Sequence, residues 1–478
     1  MELERQLDQG ETMKISFHGA DQDVTGSCHL LESNGIKILI DCGMFQGGRE
    51  LEEENAEPFG FEPKEIDFVL LTHAHLDHCG RLPLLVKRGF KGEIITTSAT
   101  RELARLVMVD AAHLQEEAVL HRARHPRSNH NHNKNMSVDM SPLYVLVDAF
   151  RTMDFFGRSV HYQQCLHLTD TVSVTFYDAG HILGSASIYI SVIEDNVRKT
   201  VLFSGDIGNS GRPLLNDPQT PPEADYVVME TTYGDRLHRS FPDSVNELYG
   251  AIENTIHHGG NVIIPTFALE RTQEILYFLN RGIEQQLLSS TTQVFLDSPM
   301  AISATQIFER HPLSFRESIK QLFDSKNDPF QLPGLHFSRE TADSIAINRI
   351  QSGAIIMAGS GMCTGGRIRH HLQHGLSRSE CTVIFVGYAS QGTLARRIID
   401  GAKTVRIFNE EIPVRANIYT INGFSAHADQ AELVNWHKKI KNIKATFLVH
   451  GDINVMQTFK HLLEGKVDIP EKNQVFNL

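Results

Sequence analysis

No stretch of this 478-residue chain stays apolar over the roughly 20 residues needed to span a bilayer. Met1 to Glu11 is polar and charged and lacks the apolar segment of a secretory leader. Cysteine is sparse: Cys28, Cys42, Cys79, Cys165, Cys363 and Cys381 are scattered, with no CxxC spacing. They read as reduced, mostly buried thiols, and the expectation is a cytoplasmic protein without a membrane partner. Net positive charge is missing as well, since 45 basic against 58 acidic residues give −13. Taken alone, that balance argues against nucleic acid, because phosphate contacts demand local positive charge. Internal repeats are absent. The length exceeds one ordinary core and implies two domains.

Against these absences stands one concentration. The segment Thr72-His73-Ala74-His75-Leu76-Asp77-His78 gathers three imidazoles and a carboxylate behind the apolar run Ile66-Asp67-Phe68-Val69-Leu70-Leu71. The run reads as a buried strand, which puts the cluster on the loop leaving its carboxyl end. Imidazole and carboxylate are ligands that zinc takes, and neighbouring ligands on one short loop close a site cheaply. Four groups alternating in this way cannot all face one ion, so two adjacent metals are expected. Two divalent ions would also supply the positive charge that the composition withholds, and Arg271, Arg367, Arg369, Arg396 and Arg397 cluster as local positive charge in the segment expected to form one lobe.

Other strands end in ligand-type residues too. Lys37 to Ile40 ends at Asp41, Thr200 to Gly205 at Asp206, Tyr226 to Met229 at Glu230, and Ala445 to Val449 at His450. His181 follows the alternating strand Val172 to Tyr177 in the turn Asp178-Ala179-Gly180-His181. One such residue is usually a polar cap on a turn. Five of them beside a histidine loop describe a rigid scaffold presenting a site.

Here the chain resembles a known family. THAHLDH, the later His181, Asp206 within SGDIG and the strand-end Asp41 are similar to the metallo-β-lactamase superfamily signature. METTYGD around Glu230, GFSAHAD around His427 and LVHGD around His450 resemble the three additional motifs of the β-CASP nucleases. PTFALERTQEIL and GSGMCTGGR look most like the shorter prokaryotic members. The resemblance runs from about Met13 to about Asp452. It implies an α/β protein: an αββα sandwich carrying an inserted parallel-sheet domain.

The pattern along the chain agrees. The first 206 residues are strand-rich, with a helix expected over Arg101 to Leu120, and from about Asn246 strands and helices alternate as in a parallel sheet covered on both faces. His450 belongs chemically with His73 to His78, so the alternating block must be an insertion. The expected division is 1–234 and 413–478 for the sandwich and 235–412 for the insertion, with the site in the cleft between lobes. The polar tract His121 to Ser141 reads as a solvated loop rather than a metal tract.

The chemistry is then assigned. His73, His75 and His181 hold one zinc; Asp77, His78 and His450 hold a second; Asp206 bridges, and manganese suits the same donors. Asp77 thus counts among the catalytic groups as well as the ligands, because a hydroxide activated by the two metals is the expected nucleophile. Asp41 orients an imidazole N–H instead of ligating, the role that the resemblance implies. His427 is the candidate general acid for the leaving 3′-oxygen, with Glu230 beside it favouring its protonated form. The glycine-rich turn at Ser360 and Gly361, with Arg367 opening a helix, is the candidate phosphate contact. His370 and His371 are read as packing or RNA-facing residues, not ligands.

The expected function is hydrolysis of RNA phosphodiester bonds, with RNA as partner and a homodimer as the candidate assembly. A small-molecule hydrolase on this fold leaves the inserted domain and the Glu230–His427 pair unexplained. DNA-repair members of the resembled family typically carry an aliphatic residue where this chain has His450. An inactive RNA-binding scaffold would have lost ligands, and here none is missing.

Overall fold

The computed structural model describes residues 13–47, 49–124, 141–387, 389 and 392–478. Two seven-stranded sheets face one another. The first runs Val475–Asn477, Lys14–Phe17, His29–Ser33, Ile36–Ile40, Phe68–Leu70, Glu93–Thr97, Phe156–Val160. The second runs Val467–Asp468, Ala445–Val449, Tyr226–Glu230, Val197–Phe203, Ala186–Glu194, Val172–Asp178, Cys165–His167. Alternation along the strands decides which side chains meet. Ile38, Ile40, Leu70 and Ile95 of the first sheet pack against Phe176, Ile188, Val201, Phe203, Val228 and Phe447 of the second. Each such side chain contributes about 1.5–3 kcal/mol on burial. Val227, Met229 and Leu448 point the other way, onto Leu433, Trp436, Met456 and Phe459 of helices Gln430–Lys438 and Ile453–Lys460. The helix Ser98–Arg124 lies with Leu82–Lys87 and Leu146–Thr152 on the outer face of the first sheet, which completes the αββα sandwich. It extends past the expected end at Leu120; residues 125–140 of the expected polar loop lie outside the described residues.

The insertion follows from strand pairing. Tyr226–Glu230 pairs in parallel with Ala445–Val449, Tyr226 opposite Ala445, so the chain between them is an excursion from one sheet. The excursion builds a six-stranded, all-parallel sheet in the order Leu335–Phe337, Gln293–Leu296, Ala354–Ala358, Val262–Pro265, Thr382–Phe385, Asn417–Thr420. Its central strands, Ala354–Ala358, Val262–Pro265 and Thr382–Phe385, are buried on both faces, as a sheet covered on both sides requires. Ile263, Val383 and Phe385 meet Ile368, Leu372 and Ile398. Val262, Ile264 and Met357 meet the opposite helical layer through Leu248, Ile252, Leu276 and Leu279. The boundary expected at residue 412 falls inside the strand Glu410–Pro413 of a small hairpin. One more strand of the large sheet, Asn417–Thr420, follows it, because its backbone pairs with Thr382–Phe385.

No helix among the described residues is long and apolar enough to cross a membrane. Five of the six cysteines are buried, and Cys165 is exposed.

Candidate metal centre

Strand direction places the chemistry. Ile36–Ile40 and Phe68–Leu70 are parallel neighbours, as are Val197–Phe203, Tyr226–Glu230 and Ala445–Val449, so their carboxyl ends share one edge of the sandwich. The first pair delivers Asp41 and the histidine loop; the second group delivers Asp206, Glu230 and His450. Asp77 and His78 sit on the short helix Leu76–Cys79 that closes the loop. Two glycines allow the approach: a Cβ on Gly43 would lie 1.6 Å from the Asp77 carbonyl oxygen, and one on Gly208 would lie 1.8 Å from that of Gly180. Asp41 and His450 both adopt positive φ, 60° and 53°. Such backbone is uncommon for residues other than glycine and clusters where function over-determines the geometry.

The expected ligands come together in two sets. His73, His75, His181 and Asp206 form one, and Asp77, His78 and His450 the other. His75 Nδ1 lies 3.2 Å from His73 Nε2 and 3.1 Å from His181 Nε2. Asp206 Oδ2 is 3.4 Å from both of those Nε2 atoms, and its Oδ1 is 3.3 Å from His78 Nε2. His450 Nε2 is 3.3 Å from His78 Nε2 and 3.5 Å from Asp77 Oδ2. Asp206 therefore stands between the sets.

Neighbouring groups fix which ring nitrogen is free. His78 Nδ1 donates to Asp41 Oδ2 at 2.7 Å, His73 Nδ1 to Thr72 Oγ1 at 3.0 Å, His181 Nδ1 to the Ala426 carbonyl at 3.3 Å, and His450 Nδ1 to Thr232 Oγ1 at 3.1 Å. In the neutral ring each bond leaves the Nε2 lone pair aimed into the cluster, while the Asp206, Asp41 and Asp77 carboxylates raise the pKa of His78 and His450 against burial. Acceptors converging on one point repel unless a cation shares them. Burial lowers the pKa of His73 to about 3 and of His75 to about 4, and puts His181 well below its usual value, so these rings are held neutral, the form of imidazole that can bind a metal. Asp206 Oδ1 is buried with no hydrogen-bond partner. Such an orphan costs about 1–3 kcal/mol. A divalent cation would relieve both defects, and this nitrogen-rich, carboxylate-containing donor set suits one.

Asp41 stays out of both sets. It accepts from the Thr72 amide at 2.8 Å, from Thr72 Oγ1 at 2.9 Å and from Ser27 Oγ at 3.3 Å, in addition to His78. Asp41→Asn is expected to lower metal affinity or activity by about 10–100-fold, the usual cost of losing such a partner. Metal titration of the purified variant measures it, and unchanged affinity together with unchanged activity would remove Asp41 from this role.

Beside the two sets lies a third group. His427 Nδ1 is 3.2 Å from each oxygen of Glu230 and 3.9 Å from Asp206 Oδ2. Burial works against charging this imidazole, but the Glu230 and Asp206 carboxylates outweigh it and raise its pKa to about 9. Glu230 is already committed, accepting from the Ile207 amide at 2.6 Å and the Thr232 amide at 3.3 Å. Its remaining capacity faces the ring.

These shifts set a pH dependence for the metal-free protein. His73, His75 and His181 have depressed pKa values, so their stabilising effect is present above about 6.5 and is lost as pH falls toward 4 and 3. The elevated His427 contributes below about 6.5, and that contribution is lost as pH rises through about 9. The thermal midpoint of chelated protein is expected to peak near neutrality and fall on both sides. A profile flat from pH 4 to 9.5 would contradict this.

Ser360, Gly361 and Arg367 are not part of the cluster. They occupy the turn after Ala354–Ala358 in the inserted sheet. Arg367 donates to Asp297 Oδ1 at 2.7 Å and to the carbonyls of Ser338 and Arg339 at 3.0 and 2.7 Å, which fastens the turn. His371 is buried between Asp297 and Asn348, and His370 stacks on Phe408, so neither joins a ligand set. Sequence reasoning counted Arg271 as local positive charge; instead it is buried against Glu274. It also passed over Thr72, Thr232 and Ser27. Thr232 stands inside the METTYGD stretch, which was the available signal.

An αββα sandwich with a histidine- and aspartate-rich cluster at its strand ends defines a metal-dependent hydrolase scaffold. The family model of the Metallo-beta-lactamase superfamily matches residues 22–266, that of the Beta-Casp domain residues 272–398, and that of the Zn-dependent metallo-hydrolase RNA specificity domain residues 411–472. The chain belongs to the β-CASP group of the metallo-β-lactamase superfamily. It is 40% identical to Ribonuclease TTHA0252 of Thermus thermophilus over 92% of this chain and 93% of that protein. With Transcription termination factor FttA of Methanocaldococcus jannaschii it shares 27% identity, over 96% of this chain and 70% of the relative. A solved structure from Enterococcus faecalis, a protein of unknown function, matches 98% of this chain and 100% of its own at 12% identity and a TM-score of 0.55, a likeness of fold alone.

Proposed function

We propose that this chain is a zinc-dependent ribonuclease that hydrolyses RNA phosphodiester bonds. The observation that carries the reading is the placement of Asp206 between two ligand sets with the Glu230–His427 pair alongside. The relationship to a ribonuclease along nearly its whole length supports the substrate class. Two zinc ions, one in each set, would neutralise the scissile phosphate and lower the pKa of the attacking water. Manganese would be held by the same donors.

The side chains do the remainder. Asp41, Thr72, Thr232 and the Ala426 carbonyl hold the ligand rings in one tautomer, so the site is preorganised. Glu230 grips His427 Nδ1 and keeps the ring protonated, leaving Nε2 to deliver a proton to the departing 3′-oxygen. The Ser360–Gly361 turn, secured by Arg367, would receive a flanking phosphate at the Gly361 amide, since the Ser360 amide already donates to the Gly365 carbonyl at 3.3 Å.

The test is cleavage of labelled RNA carrying a 5′-monophosphate, 5′-triphosphate or 5′-hydroxyl, with single-stranded DNA of the same sequence alongside. Zinc-dependent RNA cleavage with little DNA cleavage is expected. Equal turnover of DNA, or no cleavage of RNA by zinc-loaded protein, would overturn the reading.

A further inference from the structure

The loop bearing His427 is tied down by the segment that carries Asp206. The Ala428 amide donates to the Ile207 carbonyl at 2.7 Å, and Gly208 pairs with His427 as an isolated antiparallel bridge. Asn209 Nδ2 reaches the carbonyls of Ser425 and His427 at 2.8 and 2.6 Å. Arg212 completes the tie. Its Nη1 donates to the Gly423 carbonyl at 2.8 Å, and its Nη2 to the Phe424 carbonyl at 3.1 Å and to Glu274 Oε2 at 2.8 Å. The guanidinium also lies 4.4 Å from the ring centroid of Phe241. Arg212 comes from the sandwich, whereas Glu274 and Phe241 belong to helices of the inserted domain, Arg271–Glu284 and Phe241–His257. Both Arg212 and Glu274 are buried.

We propose that Arg212 is a positioning residue, registering the His427 loop against the inserted domain so that His427 stays aligned over the cleavage site. The inference rests on the general-acid reading of His427. A buried ion pair adds little net stability, because desolvation offsets the attraction. Its value here is geometric. A planar guanidinium can hold two carbonyls and a carboxylate in one fixed fork, which a lysine ammonium cannot imitate. Proton transfer is sensitive to that fork, since a displacement of about 1 Å can cost on the order of 10² in rate.

The experiment uses the full chain at saturating zinc and compares RNA with bis(4-nitrophenyl) phosphate, whose leaving group needs no proton. Arg212→Met should lower kcat on RNA by about 10–100-fold with KM nearly unchanged, and Arg212→Lys should recover little. The activated diester should be almost unaffected, and amide exchange in residues 423–428 should quicken. Combined with His427→Ala, Arg212→Met should add no further loss on RNA. Equal losses on both substrates, a raised KM with kcat intact, or additive losses in the double variant would overturn the proposal. Should Arg212→Met fail to fold, Asn209→Ala and Glu274→Gln loosen the same tie, and the same split between substrates decides. If His427→Ala itself loses both substrates equally, the general-acid reading falls, and this inference falls with it. If His427→Ala shows the split and the Arg212 variants do not, only the positioning role is lost.

Discussion

His427→Ala is expected to slow RNA cleavage by about 10²–10⁴-fold, the usual contribution of a general acid, while zinc content stays near normal. The expectation comes from position. His427 faces Glu230 at 3.2 Å and lies outside the two histidine-rich sets, forming with Glu230 and Asp206 a third group in which it comes to 3.9 Å from Asp206. Its imidazole is held protonated by carboxylates, whereas the rings of His73 and His75 are held neutral by burial. One cluster thus keeps a charged imidazole beside neutral ones by environment alone. Glu230→Gln should be milder, because an amide can still hydrogen-bond the ring. Bis(4-nitrophenyl) phosphate should be cleaved nearly as well by His427→Ala as by the parent. Loss of zinc from the variant, or an equal loss on the activated substrate, would show that His427 holds metal or fold instead.

The larger effect is expected at Asp206. Its two oxygens serve different sets, Oδ2 facing His73 and His181 and Oδ1 facing His78. Asp206→Ala removes one carboxylate from both at once, so zinc occupancy should fall at both positions and RNA cleavage should drop below detection. His450→Ala and Asp77→Ala reach only the second set, and each should preferentially empty that one position. Zinc analysis of the three purified variants distinguishes these patterns. Full zinc content in Asp206→Ala, or indistinguishable losses in all three, would show that Asp206 does not bridge. Thermal unfolding of the chelated variant beside the chelated parent keeps loss of metal distinct from loss of fold.

Much of the site was legible in the sequence because ligands are chemically conspicuous and strands announce their ends. His450 could be joined to His78 across 372 residues since His450 ends one apolar strand and the loop that carries His78 leaves the end of another. The inserted sheet was legible for a similar reason: Val262–Pro265 and Ala354–Ala358 are apolar on both faces, as parallel strands between helices must be. Its last strand was legible as a strand, over Arg415 to Ile421, but not as part of this sheet. Asn417–Thr420 is half-exposed and follows a hairpin, so nothing local tied it to the inserted sheet. Thr72 and Thr232 escaped notice because a threonine hydroxyl acquires its meaning only when folding sets it against a histidine nitrogen. Arg271 misled in the opposite direction. It read as one of a cluster of arginines giving local positive charge, yet its helix turns it inward onto Glu274. Side-chain partners arriving from another domain leave no local pattern, and Arg212 belongs to that class.

The central claim is a pair of metal positions divided by Asp206, with His427 left free of metal. Anomalous diffraction at the zinc absorption edge from crystals of zinc-loaded protein tests it most directly. Two peaks roughly 3.5–4 Å apart are expected, the spacing of two-metal sites, one among His73, His75 and His181 and the other among Asp77, His78 and His450. A single peak, or a peak coordinated by Glu230 and His427, would contradict the account.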